Sequence, residues 1–582
     1  MKKTQEVANE RLLFGAIFGL ALVMRFVLLG AFPLREWESQ WAYQAWELWQ
    51  GQRSGIGYET GYLSITRALF ALLGSTDILA RLWPAVVGSL LVWVPYFFRA
   101  KLGTYPALVA AVGFAVDPGF VISSRSVGSP LPALVFLMLT AGWMYAGNAL
   151  WAGVCAAFFL LSGSGMGTGL VILGVTLFLN HVLGILDFQK TAREIGSRLQ
   201  EGQPGFSWQR TLLVIAGVLL FFGTSFFTTM EGVSAWAGAI PAFLRGWGGL
   251  SAVSAGRILV TFFAYQPLPI LFGIWGMIQG FKRKNPLAHF LSFWFVVALF
   301  LILVYPSRHT WDLIWVLAPL WGLTGLALRP VFRPLKLKSV VWTLALLILI
   351  LMSLMWLSFL GLAIRGGEGR GALLQWIMVA AALILGLLSV SLVTAEWSWE
   401  VGKQGLVIGL SIALGLYMLS GTVSAAYLRP GDPRTLWLSD PGSGQLRLII
   451  DTLEEVSVYH TGREDSIEIV VDDDLSTSLQ WALRNFPQVR YETYIDEGDR
   501  PPVLITDQEV DTSSLSQSYL GQDFVYRTTS GWAGALPGDW KKWLAFREGE
   551  LEKEYILVWI RRDVYPGAEL LDDGRPQTAG SE

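Results

Sequence analysis

The sequence has little of what soluble enzymes usually contain. Of its 582 residues only 15% are charged, four are histidine, and the single cysteine is Cys155. Soluble globular domains carry roughly 25% charged residues, so the composition argues against a soluble protein. One cysteine excludes an internal disulfide, and the scattered histidines show no zinc-binding spacing. No Walker-like or strand-linked glycine-rich motif is present, so nucleotide hydrolysis has no support.

Long apolar runs fill most of the first 428 residues. A membrane-spanning helix needs about 20 apolar residues. This length predicts about thirteen spans: 12–31, 78–98, 105–123, 131–146, 148–162, 167–186, 211–229, 257–280, 287–305, 312–328, 339–364, 372–393 and 404–424. The run 12–31 is too long for a secretory signal and lacks a cleavage site, so we interpret it as a retained anchor. We therefore expect a polytopic α-helical membrane protein.

Charge is distributed unevenly along the chain and predicts the orientation in the membrane. Residues 429–582 contain 15 Lys and Arg against 29 Asp and Glu, whereas residues 1–428 contain 28 against 16. With a cytoplasmic N-terminus, the basic loops all fall on the cytoplasmic side, as membrane insertion favours. These loops lie at 2–11, 99–101, 187–210, 282–284 and 329–338. The prediction is a multi-pass plasma-membrane protein whose acidic C-terminal part is extracytoplasmic.

The acidic part has the pattern of a folded domain. Pro430, Pro433 and Pro441 mark a linker, and helix and strand patterns alternate after it, which favours a small α/β sandwich. Predicted helices lie at 446–456, 476–485 and 540–546, and predicted strands at 467–471, 489–494, 503–506 and 555–560. We expect a transmembrane domain at 1–428, a linker at 429–445, an extracytoplasmic α/β domain at 446–565 and a disordered tail at 566–582.

The first outside loop, residues 32–77, has two amphipathic patterns. Trp41, Leu48 and their neighbours recur at helical spacing, and so do Tyr62 and Leu69, which predicts two helices lying in the membrane interface. Farther on, glycines at alternate positions from 163 to 169 predict a tight turn and close helix packing.

Glu36 and Glu38 follow the first span and are candidate catalytic residues. A carboxylate at the membrane face can act as a general base on an acceptor hydroxyl. The alternative is a pair of solvated interface carboxylates, one of them paired with Arg35, and from spacing alone this alternative is favoured.

Three arginines near the same predicted membrane face are candidate phosphate ligands. Arg81 begins the second span, Arg125 lies in the second outside loop, and Arg308 precedes His309 in a later one. Guanidinium groups bind phosphate bidentately, so together they suit a lipid phosphate. Singly, each is as well explained as an anchor whose charged end reaches the interface.

These features in this order resemble the GT-C superfamily of membrane glycosyltransferases, of the family 39 type that includes protein mannosyltransferases and aminoarabinose transferases. The motifs that carry the resemblance are Glu36-Trp37-Glu38, Arg81-Leu82-Trp83-Pro84, the stretch from Pro118 through Ser124-Arg125 to Ser129, and the segment from Arg308 to Pro319. The tail, from Val470-Val471-Asp472 to Arg484 and at Pro501-Pro502-Val503, resembles most the branch called flippase activity-associated proteins.

The sequence departs from the family pattern at two acidic positions. The usual Asp-Glu of the first loop is Trp37-Glu38, and the Asp expected after Arg125 is Ser129. The resemblance then implies that Glu38 or Glu36 replaces the base. The missing second Asp removes the support for a divalent metal, so we expect no metal and no other cofactor.

The resemblance implies transfer of a sugar from a polyprenyl-phosphate donor to an extracytoplasmic glycan, lipid or protein acceptor, with the bilayer as a further partner and no nucleic acid. Glu38 or Glu36 would be catalytic, and Arg81, Arg125, Arg308 and His309 would hold the donor phosphate. The alternative is a non-catalytic accessory protein of lipid-linked glycan export that binds polyprenyl phosphate through the same arginines. A transporter is less favoured, because the spans show no inverted repeat and few central charges.

Overall fold

The computed structural model describes most of the chain, and the chain divides into two compact units. The described residues are 2–52, 56–185, 206–251, 253–332, 338–365, 369–438, 440–472, 475–492, 500–507 and 518–565. The transmembrane unit comprises Met1–Ala31, Gln44–Ser439 and Trp532–Glu550, and the α/β unit comprises Phe32–Tyr43, Asp440–Gly531 and Leu551–Glu582. The predicted tail, 566–582, lies outside the described residues.

Helices make up most of the described chain. In chain order the α-helices are α1 (Lys2–Phe26), α2 (Glu36–Gln50), α3 (Thr60–Leu73), α4 (Asp77–Leu90), α5 (Val94–Phe97), α6 (Arg99–Leu102), α7 (Thr104–Val116), α8 (Pro118–Ser124), α9 (Leu131–Tyr145), α10 (Ala149–Leu160), α11 (Ser164–Val182), α12 (Trp208–Gly223), α13 (Glu231–Ala237), α14 (Ala239–Arg245), α15 (Ala255–Tyr265), α16 (Pro267–Lys282), α17 (Pro286–Val304), α18 (Ile314–Leu328), α19 (Lys338–Ile364), α20 (Gly369–Glu396), α21 (Trp399–Val423), α22 (Leu446–Thr461), α23 (Thr477–Leu483) and α24 (Trp540–Phe546). The two helices predicted in the first outside loop are confirmed as α2 and α3.

Each predicted span overlaps a helix or a bent helix pair. Within the described residues, seven helical segments are long and apolar enough to cross a membrane by themselves, and two bent pairs raise the number to nine. Four further apolar helices, α3, α9, α10 and α12, are shorter. The protein is therefore a multi-pass membrane protein, while the count of thirteen spans stays a prediction.

Two of the predicted spans are broken rather than straight. The run 105–123 bends by 52° between α7 and α8, and the run 257–280 bends by 92° between α15 and α16. A proline follows each break, after Asp117 and after Gln266, and proline disfavours helical geometry in the residue before it. The carboxylate of Asp117 also accepts the Gly119 N–H at 2.8 Å, which caps the new helix.

The two breaks meet inside the transmembrane unit. Oδ1 of Asp117 accepts Nε2 of Gln266 at 2.9 Å, and Oδ2 accepts the indole N–H of Trp321, on α18, at 2.7 Å. All three side chains are buried. A polar group at this depth is retained only with partners, so the network holds both bends in register.

The carbonyl groups freed by the first break are capped by an arginine of α1. Arg25 is fully buried and donates to the carbonyls of Phe114 at 2.8 Å and Ala115 at 3.1 Å. Thr422 donates to the next carbonyl, of Val116, at 2.8 Å. The last carbonyls of a helix have no helical partner, and a cation is favoured beside them. Arg25 therefore has a structural explanation that the sequence did not indicate.

The α/β unit contains a five-stranded mixed sheet. Its strands are β1 (Ile469–Asp472), β2 (Val489–Glu492), β3 (Val503–Asp507), β4 (Tyr519–Ser530) and β5 (Leu551–Arg561), in the order β2-β1-β3-β5-β4. β1 runs parallel to β2 and β3, with Ile469 opposite Val489 and Val503, and β5 is antiparallel to β3 and β4. The predicted helices and strands are confirmed, but β4 was not predicted.

The chain between β4 and β5 belongs to the transmembrane unit. Trp543 of α24 is 1% exposed, and its indole N–H donates to the carbonyl of Arg434 at 2.9 Å. Arg429 donates to the carbonyl of Phe546 at 2.7 Å, at the end of the same helix. A buried tryptophan with a satisfied N–H is a strong anchor, so the segment is fixed to this unit.

Candidate functional site

Glu36, in the first turn of α2, is bound within the α/β unit. Its Oε1 accepts the Thr477 N–H at 3.0 Å, and its Oε2 lies 3.3 Å from Nη2 of Arg527. Thr477 is the first residue of α23, so the carboxylate satisfies an N–H that the helix leaves free. The cation beside Glu36 is Arg527, on β4.

Glu38 lies in the same charged cluster. It is 2% exposed, and its Oε2 accepts the backbone N–H of Arg35 at 3.2 Å. The guanidinium of Arg35 pairs with Asp440, at 2.8 Å. Burial raises the pKa of Asp440 against the effect of Arg35, and the charges of Glu38 and Glu36 raise it further. Asp440 thus completes a group of three carboxyls and two guanidiniums, including Arg527. No pattern in the sequence indicated that Asp440 belongs to this group.

Arg81 and Arg125 meet at the end of α1. Arg81 is 7% exposed and donates to the carbonyl of Leu29 at 3.2 Å. Arg125 donates to the carbonyls of Val27 at 2.7 Å and Leu28 at 3.1 Å. Both guanidiniums therefore bind carbonyl groups of the turn that follows α1, a favourable place for cations.

Arg308 and His309 bond within their own region. Arg308 donates to the carbonyls of Val253 at 2.8 Å and Leu303 at 2.9 Å. The backbone N–H of His309 donates to Asp312 at 2.8 Å. Burial lowers the pKa of His309 to about 4, so its ring is neutral near pH 7 and contributes no charge to phosphate binding.

A cleft in the transmembrane unit contains a carboxyl group that the sequence analysis did not identify. The cleft is small and partly open, with room for about one water molecule. Residues lining it include Glu59, Tyr62, Trp83, Ser129, Phe158 and Ser162. Two of these, Trp83 and Ser129, belong to the motifs that carry the family resemblance. Burial raises the pKa of Glu59 to about 8, and a perturbed carboxyl in a cleft is a candidate functional group.

Gly163 allows Glu59 its position. The glycine has a φ of +58°, and a Cβ at this residue would lie only 2.5 Å from Oε1 of Glu59. Larger residues disfavour this backbone conformation and would also fill the carboxyl's space. The predicted tight turn at the glycine run is confirmed here. The predicted close packing is confirmed at Gly167, which lies against Phe243, and at Gly169, which lies against Trp315.

Tyr58 precedes Glu59 in the chain and is close enough to Arg245 for the arginine's charge to affect it. Burial and the charge of Glu59 raise the pKa of Tyr58 to about 12, while Arg245 acts in the opposite direction. Arg245 is exposed and makes a long hydrogen bond of 3.4 Å to the Pro241 carbonyl. A basic side chain of α14 thus lies near Tyr58.

No metal centre is formed by the part of the chain that the structure describes: there, no three His, Cys, Asp or Glu side chains are placed to share an ion. The structure brings together Arg81 with Arg125, and Glu36 with Glu38. The roles of these residues, and of Arg308 and His309, stay predictions.

Solved structures that resemble nearly the whole chain include two of ArnT. ArnT from Cupriavidus metallidurans in the apo state has 12% identity and a TM-score of 0.50, and the match covers 97% of this chain and 100% of the ArnT chain. The same protein bound to undecaprenyl phosphate has 12% identity and a TM-score of 0.52, and the match covers 97% of this chain and 99% of the ArnT chain. No family model and no curated protein matches the sequence. The chain therefore has the same overall fold as these ArnT structures.

Proposed function

We propose that the protein is a membrane glycosyltransferase that takes a sugar from a polyprenyl-phosphate donor and delivers it to an extracytoplasmic acceptor. The observation that carries the proposal is the ArnT-like fold over 97% of the chain, together with undecaprenyl phosphate bound to one of the two ArnT structures. Fold alone does not fix function, but the motifs at Glu36-Trp37-Glu38, Arg81 and Arg125 independently suggest the same class.

The proposed chemistry needs a base for the acceptor hydroxyl and cations for the departing phosphate. Glu38 is the first candidate base and Glu36 the second. Arg81, Arg125 and Arg308 are the proposed phosphate ligands, with His309 as a neutral hydrogen-bonding group. A polyprenyl phosphate is already a good leaving group, so positioning and charge neutralisation supply most of the rate.

The proposal extends to the membrane topology and the branch of the family. We propose a cytoplasmic N-terminus and an extracytoplasmic C-terminal domain, because the basic clusters all fall on one side and alternate with loops that are long or poor in Lys. We also propose that the tail motif from Val470 to Arg484 marks the flippase activity-associated branch. A protease-accessibility assay on a tag placed after Glu582, in sealed cells, tests the topology, and a cytosolic tag would contradict it.

A turnover assay with paired variants tests the function. Purified protein is incubated with a radiolabelled undecaprenyl-phosphate sugar and a membrane extract as the acceptor source. We expect labelled product from the wild type and none from the Glu36→Gln, Glu38→Gln double variant. Glu231→Gln, an exposed carboxylate in another loop, is the matched control and retains turnover. Unchanged turnover in the double variant contradicts the assignment of the base.

One observation favours the accessory-protein alternative. Glu36 and Glu38 both have partners within the α/β unit, namely Thr477 and Arg527 for Glu36 and the Arg35 backbone for Glu38. Carboxylates with such partners can stabilise the fold without taking part in catalysis. Binding of undecaprenyl phosphate by the wild type without any turnover supports this alternative.

A further inference from the structure

The connection between β4 and β5 is much longer than an antiparallel pair of strands needs. Ser530 pairs with Leu551, so the last residue of β4 lies opposite the first residue of β5. Hairpin connections usually have about two to five residues, whereas here the chain from 531 to 550 intervenes. Its main part, Trp532–Glu550, belongs to the transmembrane unit and is called the excursion below. A long ordered connection of this kind usually has a function of its own.

The helix of the excursion, α24, packs on the membrane-spanning helix α19. The rings of Trp540 and Phe359 lie 6.4 Å apart between centroids. α19 has 27 residues, so it is about 40 Å long and extends about 5 Å beyond each side of a hydrocarbon core about 30 Å thick. Phe359 comes five residues, or about 7–8 Å, before Ile364, the last residue of α19. Trp540 therefore lies at the depth where hydrocarbon meets the phospholipid headgroups.

The surface that the excursion presents at this depth is apolar. Trp540 is 42% exposed and Leu536 is 37% exposed, and Leu357, close to Phe359 on α19, is exposed as well. Tryptophan is enriched at the membrane–water interface, because its ring is apolar and its N–H is polar. Trp543, three residues farther along α24, is buried instead. One tryptophan thus attaches α24 to the protein, and the other faces the surroundings of α19.

We propose that the excursion binds the lipid surface, with Trp540 and Leu536 inserted among the phospholipid headgroups beside α19. Its charges balance, so apolar contact rather than attraction to anionic lipids holds it there. The basic residues are Lys541, Lys542 and Arg547, and the acidic ones are Asp539, Glu548 and Glu550. Lys542 is paired with Glu548 at 3.0 Å. This lipid contact is a property beyond the proposed sugar transfer and does not depend on it.

Spin labels on single cysteines test the contact in the full chain, in nanodiscs that hold one copy each. Labels are placed with Leu536→Cys and Trp540→Cys in a Cys155→Ala background, which removes the native cysteine. Leu388→Cys, at an exposed apolar position of α20, is the lipid reference, and Glu455→Cys, at an exposed position of α22, is the water reference. Oxygen partitions into lipid and a nickel chelate stays in water, so the ratio of their collision rates with the label reports its depth.

We expect the oxygen-to-nickel ratio at positions 536 and 540 to lie above that of the water reference and below that of the lipid reference. The ratio should not change when phosphatidylcholine is replaced by an equal mixture with phosphatidylglycerol, because the excursion has no net charge.

Three results would overturn the proposal. Ratios equal to the water reference place the excursion in water. Low collision rates with both reagents mean that protein covers the two side chains, since each nanodisc holds one copy. A ratio that rises with phosphatidylglycerol means that charge, not apolar contact, holds the excursion. Thermal unfolding of each labelled variant confirms its fold, and the second label position decides the matter if one variant is misfolded. Failure of sugar turnover with the lipid contact intact contradicts the proposed function alone.

Discussion

The polar network at the two helix breaks allows the effect of Asp117→Asn on stability to be predicted. In Asp117→Asn the amide oxygen can take the place of Oδ1, which accepts the N–H groups of Gly119 and Gln266. The amide nitrogen then occupies the place of Oδ2 and faces the indole N–H of Trp321. Two donors opposed inside the protein replace one hydrogen bond, so the variant should be less stable than the wild type.

The magnitude follows from the contacts. Hydrogen bonds to charged groups contribute about 1.5–3 kcal/mol in soluble proteins, and those between membrane helices reach about 1.7 kcal/mol. We therefore expect Asp117→Asn to cost about 2 kcal/mol. In the wild-type background, Trp321→Phe should lower the free energy of unfolding by more than the lost hydrogen bond alone. Trp321 is 4% exposed, so the smaller phenylalanine also leaves a cavity.

A double-mutant cycle isolates the hydrogen bond from the cavity. Trp321→Phe removes the opposing donor in the Asp117→Asn background, so its cost there should be smaller by about 2 kcal/mol than in the wild type. The free energies of unfolding come from SDS titration of the purified protein in mixed micelles. Equal costs of Trp321→Phe in the two backgrounds would refute the network as the lock between the two bends.

Three other perturbations have defined outcomes. Burial lowers the pKa of His309 to about 4, below the roughly 6.5 of an exposed histidine. The thermal midpoint of unfolding should therefore fall as the pH decreases from 6.5 to 4, and His309→Gln should make this fall smaller. Trp543→Ala should lower the unfolding free energy by about 3–5 kcal/mol, with Trp543→Phe milder. Arg25→Lys, measured by SDS titration, should cost about 2–4 kcal/mol, because lysine cannot reproduce a guanidinium's contacts with Ser124 and three carbonyls.

The broad fold could be predicted because apolar length and charge bias act locally. Each run of apolar residues became a helix, and the period of 3.6 identified α2, α3 and α22. The prolines that follow Asp117 and Gln266 indicate the two breaks. Because apolar residues continue on both sides of each proline, the sequence analysis predicted one continuous span at each position. Arg25 was overlooked because its partners, the carbonyls of α7, come about ninety residues later in the chain.

The candidate site was harder to predict, since its contacts join distant parts of the sequence. Glu36 meets Thr477 across more than four hundred residues, and no local pattern encodes such a contact. Glu59 is a single acid before an amphipathic helix, and only the fold around it reveals the cleft and its raised pKa. Motif similarity identified Arg81 and Arg125, whereas their shared position at the end of α1 required the structure.

The most direct measurement of the central claim is the release of undecaprenyl phosphate by the purified wild-type protein. A set of undecaprenyl-phosphate-linked sugars is supplied one at a time with a membrane extract, and the free lipid is quantified by mass spectrometry. The proposed glycosyltransferase activity predicts enzyme-dependent release from at least one of them, together with transfer of its sugar. Retention of every donor intact, at protein concentrations where undecaprenyl phosphate itself binds, would contradict it.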